Sequence, residues 1–294
     1  EMIPRFDAHK FKGITQKMKD AFERDGVLVF DGLISPAMCD TLKRRMAAMV
    51  DDFDASEHRS VFSSTSEAHA QDQYFLESGH ETRFFMEEEA FDDAGNLTKP
   101  LHLALNKVGH AMHDLDDTFS RFARQEAFQL ICEGLGQKKP LPLQSMYIFK
   151  QPHIGGEVVC HQDATYLRTE PESCLGLWVA IEDATVENGC LWGIPGGHST
   201  GGVREAFRRA PDGDGTFTET LDSAPFEEDK KVPLEAPKGT VLVFGGKFPH
   251  MSSANRSDKS RHAYTLHVID GAAHYPADNW LRRPDHLPLR GFDA

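Results

Sequence analysis

The sequence predicts a mainly β protein with helical decoration, whose core is a jelly-roll or related β-barrel. From about residue 143 onward, short apolar segments rich in β-branched and aromatic residues are separated by Gly, Pro, Asn and Asp, a pattern typical of such barrels. Before about residue 135, apolar residues recur mostly at helical spacing. The strand-like segments are QSMYIFKQ, LGLWVAIED, GCLWGIP, TVLVFGG and HAYTLHVID. We therefore expect a single domain over residues 1–294, with a helical region over about 1–135 and a barrel core over about 143–270.

Two helices and one strand are predicted near the N-terminus. The segment TQKMKDAFERDG indicates a short amphipathic helix that ends at Gly26, and the apolar run from Val27 to Phe30 predicts a strand. Ser35 and Pro36 then suit a helix N-cap and the first helical position. Apolar residues follow at helical spacing, namely Met38, Leu42, Met46 and Met49. We interpret this methionine-rich stripe as core packing.

Residues 54–133 combine a polar stretch with a second helical pattern. A strand is predicted at Thr82 to Met86, and a turn is predicted over 92–96, where Asp, Gly and Asn occur together. Over 101–133 the apolar spacing predicts helix. The candidates for the buried face of this helix are Leu105, Val108, Met112, Leu115, Phe119, Phe122 and Leu130.

The segment between Gly197 and Gly239 is dense in Gly, Pro and charged residues and is too long for a simple connection. We predict that residues 198–238 form a lid or a mobile loop. A solvated insertion without a role in binding is an equally good interpretation.

Composition disfavours several classes of partner. The chain has 294 residues, of which 39% are hydrophobic and 27% charged, and its formal net charge is -14. Repulsion between like charges therefore disfavours nucleic acid and anionic membrane surfaces. Five cysteines at irregular spacings fit reduced thiols better than a disulfide framework. No apolar run approaches the roughly 20 residues of a membrane helix, and the first residues lack the apolar core of a signal peptide. These features predict a cytoplasmic protein. They do not predict its oligomeric state.

A metal site is predicted from three residues. His161 and Asp163 lie two positions apart, so on an extended backbone their side chains point to the same side. Downstream, the strand-like TVLVF leads through two glycines to His250, and Arg261 opens the next strand. Two imidazoles and one carboxylate leave open positions on an octahedral ion, which is typical of non-haem iron(II) oxygenases. The guanidinium of Arg261 is a planar, permanently charged fork for a carboxylate.

Other histidines compete for these roles. His198, in the PGGH turn, is the strongest alternative third ligand, although the arginine that follows favours His250. His267, on the last predicted strand, either lines the pocket or is an ordinary core histidine. His110 and His113 lie three residues apart on a predicted helix, but they lack a third partner.

Several strings make the sequence resemble the phytanoyl-CoA dioxygenase family of 2-oxoglutarate-dependent oxygenases, most closely its phytanoyl-CoA hydroxylase domain-containing members. The resemblance extends from about Gly26 to Trp280. Gly197 is a departure, since many members of the family carry serine there. The strings are HQD, IPGGH, FPHMS and SDKSRHAYT, together with QSMYIFKQPHIGGE and LWVAIEDATVENGCLW.

The resemblance implies a double-stranded β-helix, of the jelly-roll or cupin-like kind, with iron(II) at the mouth of the barrel. It implies that iron is bound by His161, Asp163 and His250, and that 2-oxoglutarate and oxygen are co-substrates. Arg261 matches the arginine that pairs with the distal carboxylate of 2-oxoglutarate. The implied co-substrate pocket comprises Arg261, Ser252, Lys107, Met146 and Trp178.

The resemblance also implies an enzyme that hydroxylates a small-molecule substrate and releases succinate and carbon dioxide. Asp163 favours hydroxylation, because related halogenases have a small residue in its place so that chloride can bind iron. Two alternatives stay open, namely a non-catalytic, cupin-like protein that binds or senses the metal and 2-oxoglutarate, and a zinc-dependent isomerase or hydrolase. The substrate is not predicted, because residues 54–80 and 198–238, which are expected to select it, carry no recognisable pattern.

Overall fold

An eight-stranded sheet is the largest element of the fold in the computed structural model, which describes residues 3–56, 60–62, 73–212 and 215–293. The strands of these residues are β1 (Arg5–Asp7), β2 (Val27–Asp31), β3 (Thr82–Met86), β4 (Leu105–His110), β5 (Pro140–Ile148), β6 (Val158–His161), β7 (Leu175–Ala180), β8 (Leu191–Gly193), β9 (Glu205–Arg209), β10 (Thr216–Thr220), β11 (Val232–Leu234), β12 (Val241–Gly245), β13 (His250–Ser252) and β14 (Ala263–Asp270). The α-helices are α1 (Gln16–Asp25), α2 (Pro36–Asp51), α3 (Gln73–Glu77), α4 (Met112–Leu115), α5 (Asp117–Ala123) and α6 (Glu126–Gly134).

Two sheets form the barrel. The larger sheet has the strand order β1-β2-β12-β7-β14-β5-β4-β3, and the smaller has the order β11-β8-β13-β6. Side chains from both sheets share one buried cluster, which includes Trp178, Leu191 and Leu242. Two packed sheets of largely antiparallel strands are the architecture of a jelly-roll. The predicted fold class is therefore confirmed.

Strand β2 illustrates how the large sheet is buried on both faces. Successive side chains of a strand point to opposite faces. Leu28 and Phe30 pack in the cluster that the sheet shares with the helices, whereas Val27 and Val29 pack in the cluster that it shares with the small sheet. The large sheet is thus the middle layer of the fold. The helical residues packed on it include Leu42, Met46, Phe119 and Phe128.

Both predicted N-terminal helices are confirmed, together with their caps. Gly26 follows α1 with a left-handed φ of 79°, which glycine adopts without steric cost. The hydroxyl of Ser35 accepts a hydrogen bond of 3.2 Å from the backbone N–H of Met38, and Pro36 is the first residue of α2. Met38 itself is exposed. The methionine-rich stripe therefore joins the core only from Leu42 onward.

The helix predicted over 101–133 is wrong at its beginning, which is strand β4. This strand pairs antiparallel with β3, at the predicted position of that strand, and with β5. Leu105 and Val108 are buried, as expected, whereas Leu115 is 50% exposed. Leu105 and Val108 are three residues apart, and both can be buried in a helix or in a strand that is covered on both faces. The pairing of β4 with two neighbouring strands therefore decides the structure here. The region predicted to be helical consequently supplies four strands of the large sheet, β1 to β4, as well as the helices.

Residues 198–238 contain more regular structure than the prediction of a loop suggests. Strands β9 and β10 form an antiparallel hairpin, and β11 joins the small sheet beside β8. Phe207 of this hairpin packs against Tyr166, with ring centroids 5.6 Å apart. The role of this segment as a lid stays a prediction.

The cysteines and the helices bear on the expectations of reduced thiols and of no membrane helix. All five cysteines are free, and four of them are buried. Among the helices of the described residues, none combines the length and the apolarity needed to cross a membrane.

Candidate metal centre

Two neighbouring strands bring the predicted histidine ligands together. His161 ends β6 and His250 begins β13, and the two residues are direct partners in the antiparallel pairing of these strands. In each ring Nδ1 lies close to the carbonyl oxygen two residues earlier, at 2.9 Å from Val159 and at 3.0 Å from Phe248. Because a carbonyl can only accept, Nδ1 carries the proton in both rings. Nε2 of each ring is therefore left with a free lone pair, as metal ligation requires.

Asp163 completes the cluster from the turn that follows β6. Its Oδ1 lies 3.6 Å from Nε2 of His161 and 3.6 Å from Nε2 of His250, and the three ligand atoms all lie within 4.8 Å of one another. Its Oδ2 lies 2.9 Å from Nε2 of His267. One carboxylate oxygen is thus available to a metal, while the other is held by the large sheet.

Electrostatics leave the cluster in the protonation states that a divalent metal needs. Burial alone would raise the pKa of Asp163, but His267 and His250 hold it well below its ordinary value. Burial and the neighbouring His161 lower the pKa of His250 to about 4. The site therefore combines a carboxylate with a neutral imidazole at neutral pH. Burial raises the pKa of Cys160 to about 12, so this neighbour of His161 stays a thiol and is no thiolate ligand.

The donor set fits iron(II). Two imidazole nitrogens and one carboxylate oxygen are the set found in non-haem iron(II) sites, whereas a closed zinc site has four protein ligands that usually include thiolates. Within the described ranges of the chain, no further His, Cys, Asp or Glu joins these three residues. The cluster opens on a cavity of about 240 Å³, which leaves room for other ligands of the metal.

Buried polar atoms without partners line this cavity. Among the residues that the structure describes, five such side-chain atoms belong to its wall. Leaving a buried polar atom unpaired costs roughly 1–3 kcal/mol. The cavity is therefore suited to a polar ligand. The five atoms are Oε1 of Glu87, Oε1 of Gln144, Nε1 of Trp178, Nη1 of Arg261 and Oγ1 of Thr265.

Arg261 indicates the charge of that ligand. The side chain is 2% exposed, and its Nε donates a hydrogen bond of 3.0 Å to the carbonyl oxygen of Gly189. Burial lowers the pKa of Arg261 to about 10, so the guanidinium is still charged at neutral pH. A buried charge is costly unless it is paired. The free Nη1 therefore fits a carboxylate, and the metal cluster and Arg261 in one cavity together fit 2-oxoglutarate.

The remaining predicted co-substrate residues lie around the same cavity. Ser252, Lys107, Met146 and Trp178 all line it. Nζ of Lys107 lies 3.3 Å from the centre of the Phe62 ring, and burial lowers the pKa of this lysine to about 7. The structure thus brings together all eight residues that the resemblance singled out.

The sequence analysis missed several polar residues of the cavity, among them Gln144, Thr265 and Lys150. Gln144 lies two residues before Met146 on β5, and Thr265 lies two residues before His267 on β14, so strand periodicity could have found both. Lys150 continues the alternation of Gln144 and Met146 in the predicted strand QSMYIFKQ. It lies beyond the end of β5, in left-handed backbone with a φ of 40°.

Comparison with known proteins gives the family. The family model described as phytanoyl-CoA dioxygenase matches residues 22–263. The chain belongs to the phytanoyl-CoA dioxygenase family. A relative named phytanoyl-CoA dioxygenase from Arabidopsis thaliana is 42% identical over 271 residues, which are 92% of this chain and 94% of that one. Phytanoyl-CoA dioxygenase domain-containing protein 1 from Bos taurus is 43% identical over 276 residues, covering 91% of this chain and 94% of the relative.

Solved structures share the fold at low identity. EctD from S. alaskensis, with 2-oxoglutarate and 5-hydroxyectoine, matches with a TM-score of 0.63 and 20% identity, over 99% of this chain and 91% of the other. The carbocyclase SnoK from nogalamycin biosynthesis matches with a TM-score of 0.62 and 14% identity, over 97% and 99%. Family membership and the His-Asp-His cluster together make this chain an oxygenase enzyme of the iron- and 2-oxoglutarate-dependent class.

Of the competing histidines, His198 and His113 lie apart from the cluster, whereas His267 contacts Asp163 and, like His110, lines the same cavity as the cluster. His198 lines a different and larger cavity of about 500 Å³, and its Nε2 lies 3.0 Å from the carbonyl oxygen of Glu23. His110 and His113 each contact a serine hydroxyl, at 2.7 Å and 2.8 Å. None of the three clustered ligands lines the cavity at His198.

Proposed function

We propose that this family member hydroxylates a C–H bond of a small molecule, using iron(II), 2-oxoglutarate and oxygen, and releases succinate and carbon dioxide. In this proposal His161, Asp163 and His250 hold the metal. One observation carries it. A single cavity is lined both by the cluster with its free Nε2 atoms and by a buried arginine, Arg261, whose Nη1 has no partner among the described residues.

The iron site depends on how the chain orients its ligands. Bound iron(II) supplies the activation of oxygen and of the 2-oxo acid. The backbone carbonyls that accept from Nδ1 fix the tautomer and the plane of His161 and His250. His267 fixes Asp163 through Oδ2. Such outer contacts keep the ligand atoms in place before the metal arrives.

The co-substrate site depends on Arg261. In the proposal its guanidinium pairs with the distal carboxylate of 2-oxoglutarate, while Ser252, Lys107, Met146 and Trp178 shape the rest of the pocket. The guanidinium lies 5.2 Å from the centre of the Trp178 ring and is fixed at Nε by a carbonyl oxygen. An arginine held in this way loses little freedom when it binds, which favours tight capture of a carboxylate.

Aromatic rings form part of the cavity wall. Phe75 and Trp280 stack with ring centroids 4.6 Å apart, and both are buried. Tyr166 lies at the more open side, 38% exposed, with its ring centre 6.1 Å from that of His161. We infer that these rings orient the substrate beside the metal and limit access of water. Asp163 favours hydroxylation over halogenation, because its carboxylate takes the place that a halide would need.

The proposal is tested by product formation. Protein loaded with iron(II) without oxygen, then given 2-oxoglutarate and oxygen, should release succinate slowly, and faster when a compound from a substrate screen is turned over. The control is the same protein loaded with zinc, which should release none. Binding of 2-oxoglutarate without any succinate would favour a sensor or binding protein. Activity on a substrate without oxygen would favour a zinc-type isomerase or hydrolase.

A further inference from the structure

Lys150 is a buried lysine of the active-site cavity that the proposed mechanism does not yet use. Its side chain is 2% exposed and lies in the cavity wall. Nζ donates one hydrogen bond of 2.9 Å to Oγ of Ser252 and another of 2.5 Å to the carbonyl oxygen of Gly156. Burying an ammonium group is costly, so its position calls for an explanation.

The hydrogen bond between Lys150 and Ser252 has a fixed direction. In its charged form Lys150 has no lone pair, so its ammonium group can only donate and Oγ of Ser252 must accept. The hydroxyl proton of Ser252 is then free to be donated elsewhere. Within the described residues of the chain, no second partner of this hydroxyl is found. Lys150 thus leaves the hydroxyl of Ser252 free to donate toward the cavity, which Arg261 also lines.

Lys150 and Arg261 are also coupled through the backbone. The carbonyl oxygen of Lys150 accepts a 3.2 Å hydrogen bond from the backbone N–H of Arg261. Both side chains lie close to Gly189. The carbonyl oxygen of Gly189 accepts a hydrogen bond from Arg261, and a Cβ at this glycine would lie 2.8 Å from Cε of Lys150. A movement of either cation would therefore disturb the other.

Carboxyl groups act on both cations. Glu87 acts on Lys150 and on Arg261, Glu157 acts on Lys150, and Glu182 acts on Arg261. Oε2 of Glu87 accepts a 3.1 Å hydrogen bond from the backbone N–H of Gly156. Burial raises the pKa of Glu87, so it is a weak counter-charge. Burial and the charge of Arg261 lower the pKa of Lys150 to about 7. An anionic ligand would favour the charged lysine.

The backbone at Lys150 is held in an unfavourable conformation. Its φ of 40° lies in the left-handed region, which costs a non-glycine residue free energy unless the surroundings enforce it. Here Asn255 donates a hydrogen bond of 3.0 Å to the carbonyl oxygen of Lys150. Such strain is often found at ligand sites.

We propose that Lys150 is a positioning residue for the dicarboxylate co-substrate: it directs the hydroxyl of Ser252 at the distal carboxylate and adds a second positive charge beside Arg261. This inference rests on the proposed function, because it takes 2-oxoglutarate as the ligand of the cavity. Beyond the proposed function, we infer that Lys150 and Ser252, together with Arg261, make the site prefer a co-substrate with a second carboxylate.

The test compares two ligands that differ only in the distal carboxylate. Iron(II)-loaded protein is titrated calorimetrically without oxygen with 2-oxoglutarate and with 2-oxobutyrate, which keeps the 2-oxo acid but lacks the second carboxylate. Lys150→Met should weaken binding of 2-oxoglutarate by roughly 10- to 100-fold, the usual loss for a hydrogen bond involving charge. Binding of 2-oxobutyrate should change less than about twofold. Lys238→Met, which removes a surface lysine paired with Asp40, is the matched control and should change neither.

A double-variant cycle tests the route through Ser252. Ser252→Ala should also weaken the binding of 2-oxoglutarate but not that of 2-oxobutyrate. The double variant Lys150→Met with Ser252→Ala should bind 2-oxoglutarate only slightly more weakly than the weaker-binding single variant. Equal losses for both ligands, or unchanged affinity in Ser252→Ala, would overturn the inference. If Lys150→Met does not fold, Ser252→Ala and Lys150→Gln test the inference by the same comparison of affinity for 2-oxoglutarate and for 2-oxobutyrate. A wild-type protein that binds no 2-oxoglutarate would instead overturn the proposed function.

Discussion

Nε2 of His267 lies 2.9 Å from Oδ2 of Asp163, while Oδ1 of the same carboxylate lies 3.6 Å from both clustered histidines. His267 is held in turn by Gln144, whose Nε2 lies 3.1 Å from its Nδ1. If the amide donates, Nδ1 accepts and Nε2 carries the proton that Asp163 receives. The chain Gln144, His267, Asp163 therefore aims one carboxylate oxygen at the metal position.

Removing this support should weaken the metal site. His267→Ala leaves Oδ2 of Asp163 without its donor, and we expect iron(II) affinity to fall roughly 10- to 100-fold, as is usual for such supporting contacts. His267→Gln can still donate and should recover some of the affinity. Competition with a chelator measures both. The exposed His274 provides the control, since His274→Ala should bind iron like the wild type. Unchanged affinity in His267→Ala would contradict the role given to this contact.

Asp163→Ala should abolish iron-dependent release of succinate. The substitution removes the only carboxylate of the cluster among the described residues, so the site loses its hard oxygen donor and its negative charge. Succinate formation from 2-oxoglutarate measures the effect, with unfolding temperature as a check on folding. Turnover that persists in this variant is incompatible with the proposed ligand set.

The two candidate third ligands can be separated directly. His250→Ala should lose most of the iron affinity, because His250 Nε2 belongs to the cluster. His198→Ala should keep wild-type affinity, because this ring lines the other cavity. Each variant serves as the control for the other when iron binding is titrated side by side. The opposite ranking would show that the metal position has been wrongly assigned.

The sequence predicted the fold class but not every element of it, and the fold brings the predicted site residues together, for physical reasons. His161 and Asp163 share a side because they are two residues apart, but their closeness to His250 depends on the pairing of β6 with β13, which no local pattern encodes. The helix predicted at Leu105 failed for the same reason, because the strand there depends on distant partners. Lys150 alternates with Met146 in the predicted strand, but the strand ends before it and its φ is 40°, so strand periodicity alone does not establish where its side chain lies.

Glu172 should make stability depend on pH. Burial, aided by the charge of Asp163, raises the pKa of Glu172 to about 7, above its ordinary value of 4.5. The folded state thus holds this proton more tightly than the unfolded state. Its contribution to stability is complete below about pH 4.5 and is lost as the pH rises through about 7.

Glu172→Gln removes this dependence. The free energy of unfolding of the wild type should fall between pH 5 and pH 8 by on the order of 2 kcal/mol more than that of Glu172→Gln. Urea unfolding at both pH values measures the difference. Glu170→Gln, at an exposed neighbouring carboxylate, should follow the wild type. Parallel curves for wild type and Glu172→Gln would show that this carboxyl does not titrate as proposed.

Asp114 should be important for stability rather than for catalysis. Its side chain is fully buried and pairs with Arg124 at 2.5 Å, Arg283 at 2.8 Å and Arg290 at 3.0 Å, which ties the helices to the C-terminal segment. Burial alone would raise the pKa of Asp114, but His113 and the arginines lower it to about 2. Its stabilising effect is therefore present above about pH 4 and is lost as the pH falls toward 2.

Asp114→Asn should lower the free energy of unfolding by about 3 kcal/mol at neutral pH, because buried guanidinium groups lose their counter-charge. Urea unfolding measures this loss, and Asp117→Asn, at the exposed first residue of α5, should cost less than about 1 kcal/mol. Affinity for 2-oxoglutarate in the folded Asp114→Asn protein should equal that of the wild type, since Asp114 does not line the active-site cavity. A variant as stable as the wild type would mean that the arginines find water or other acceptors at no cost.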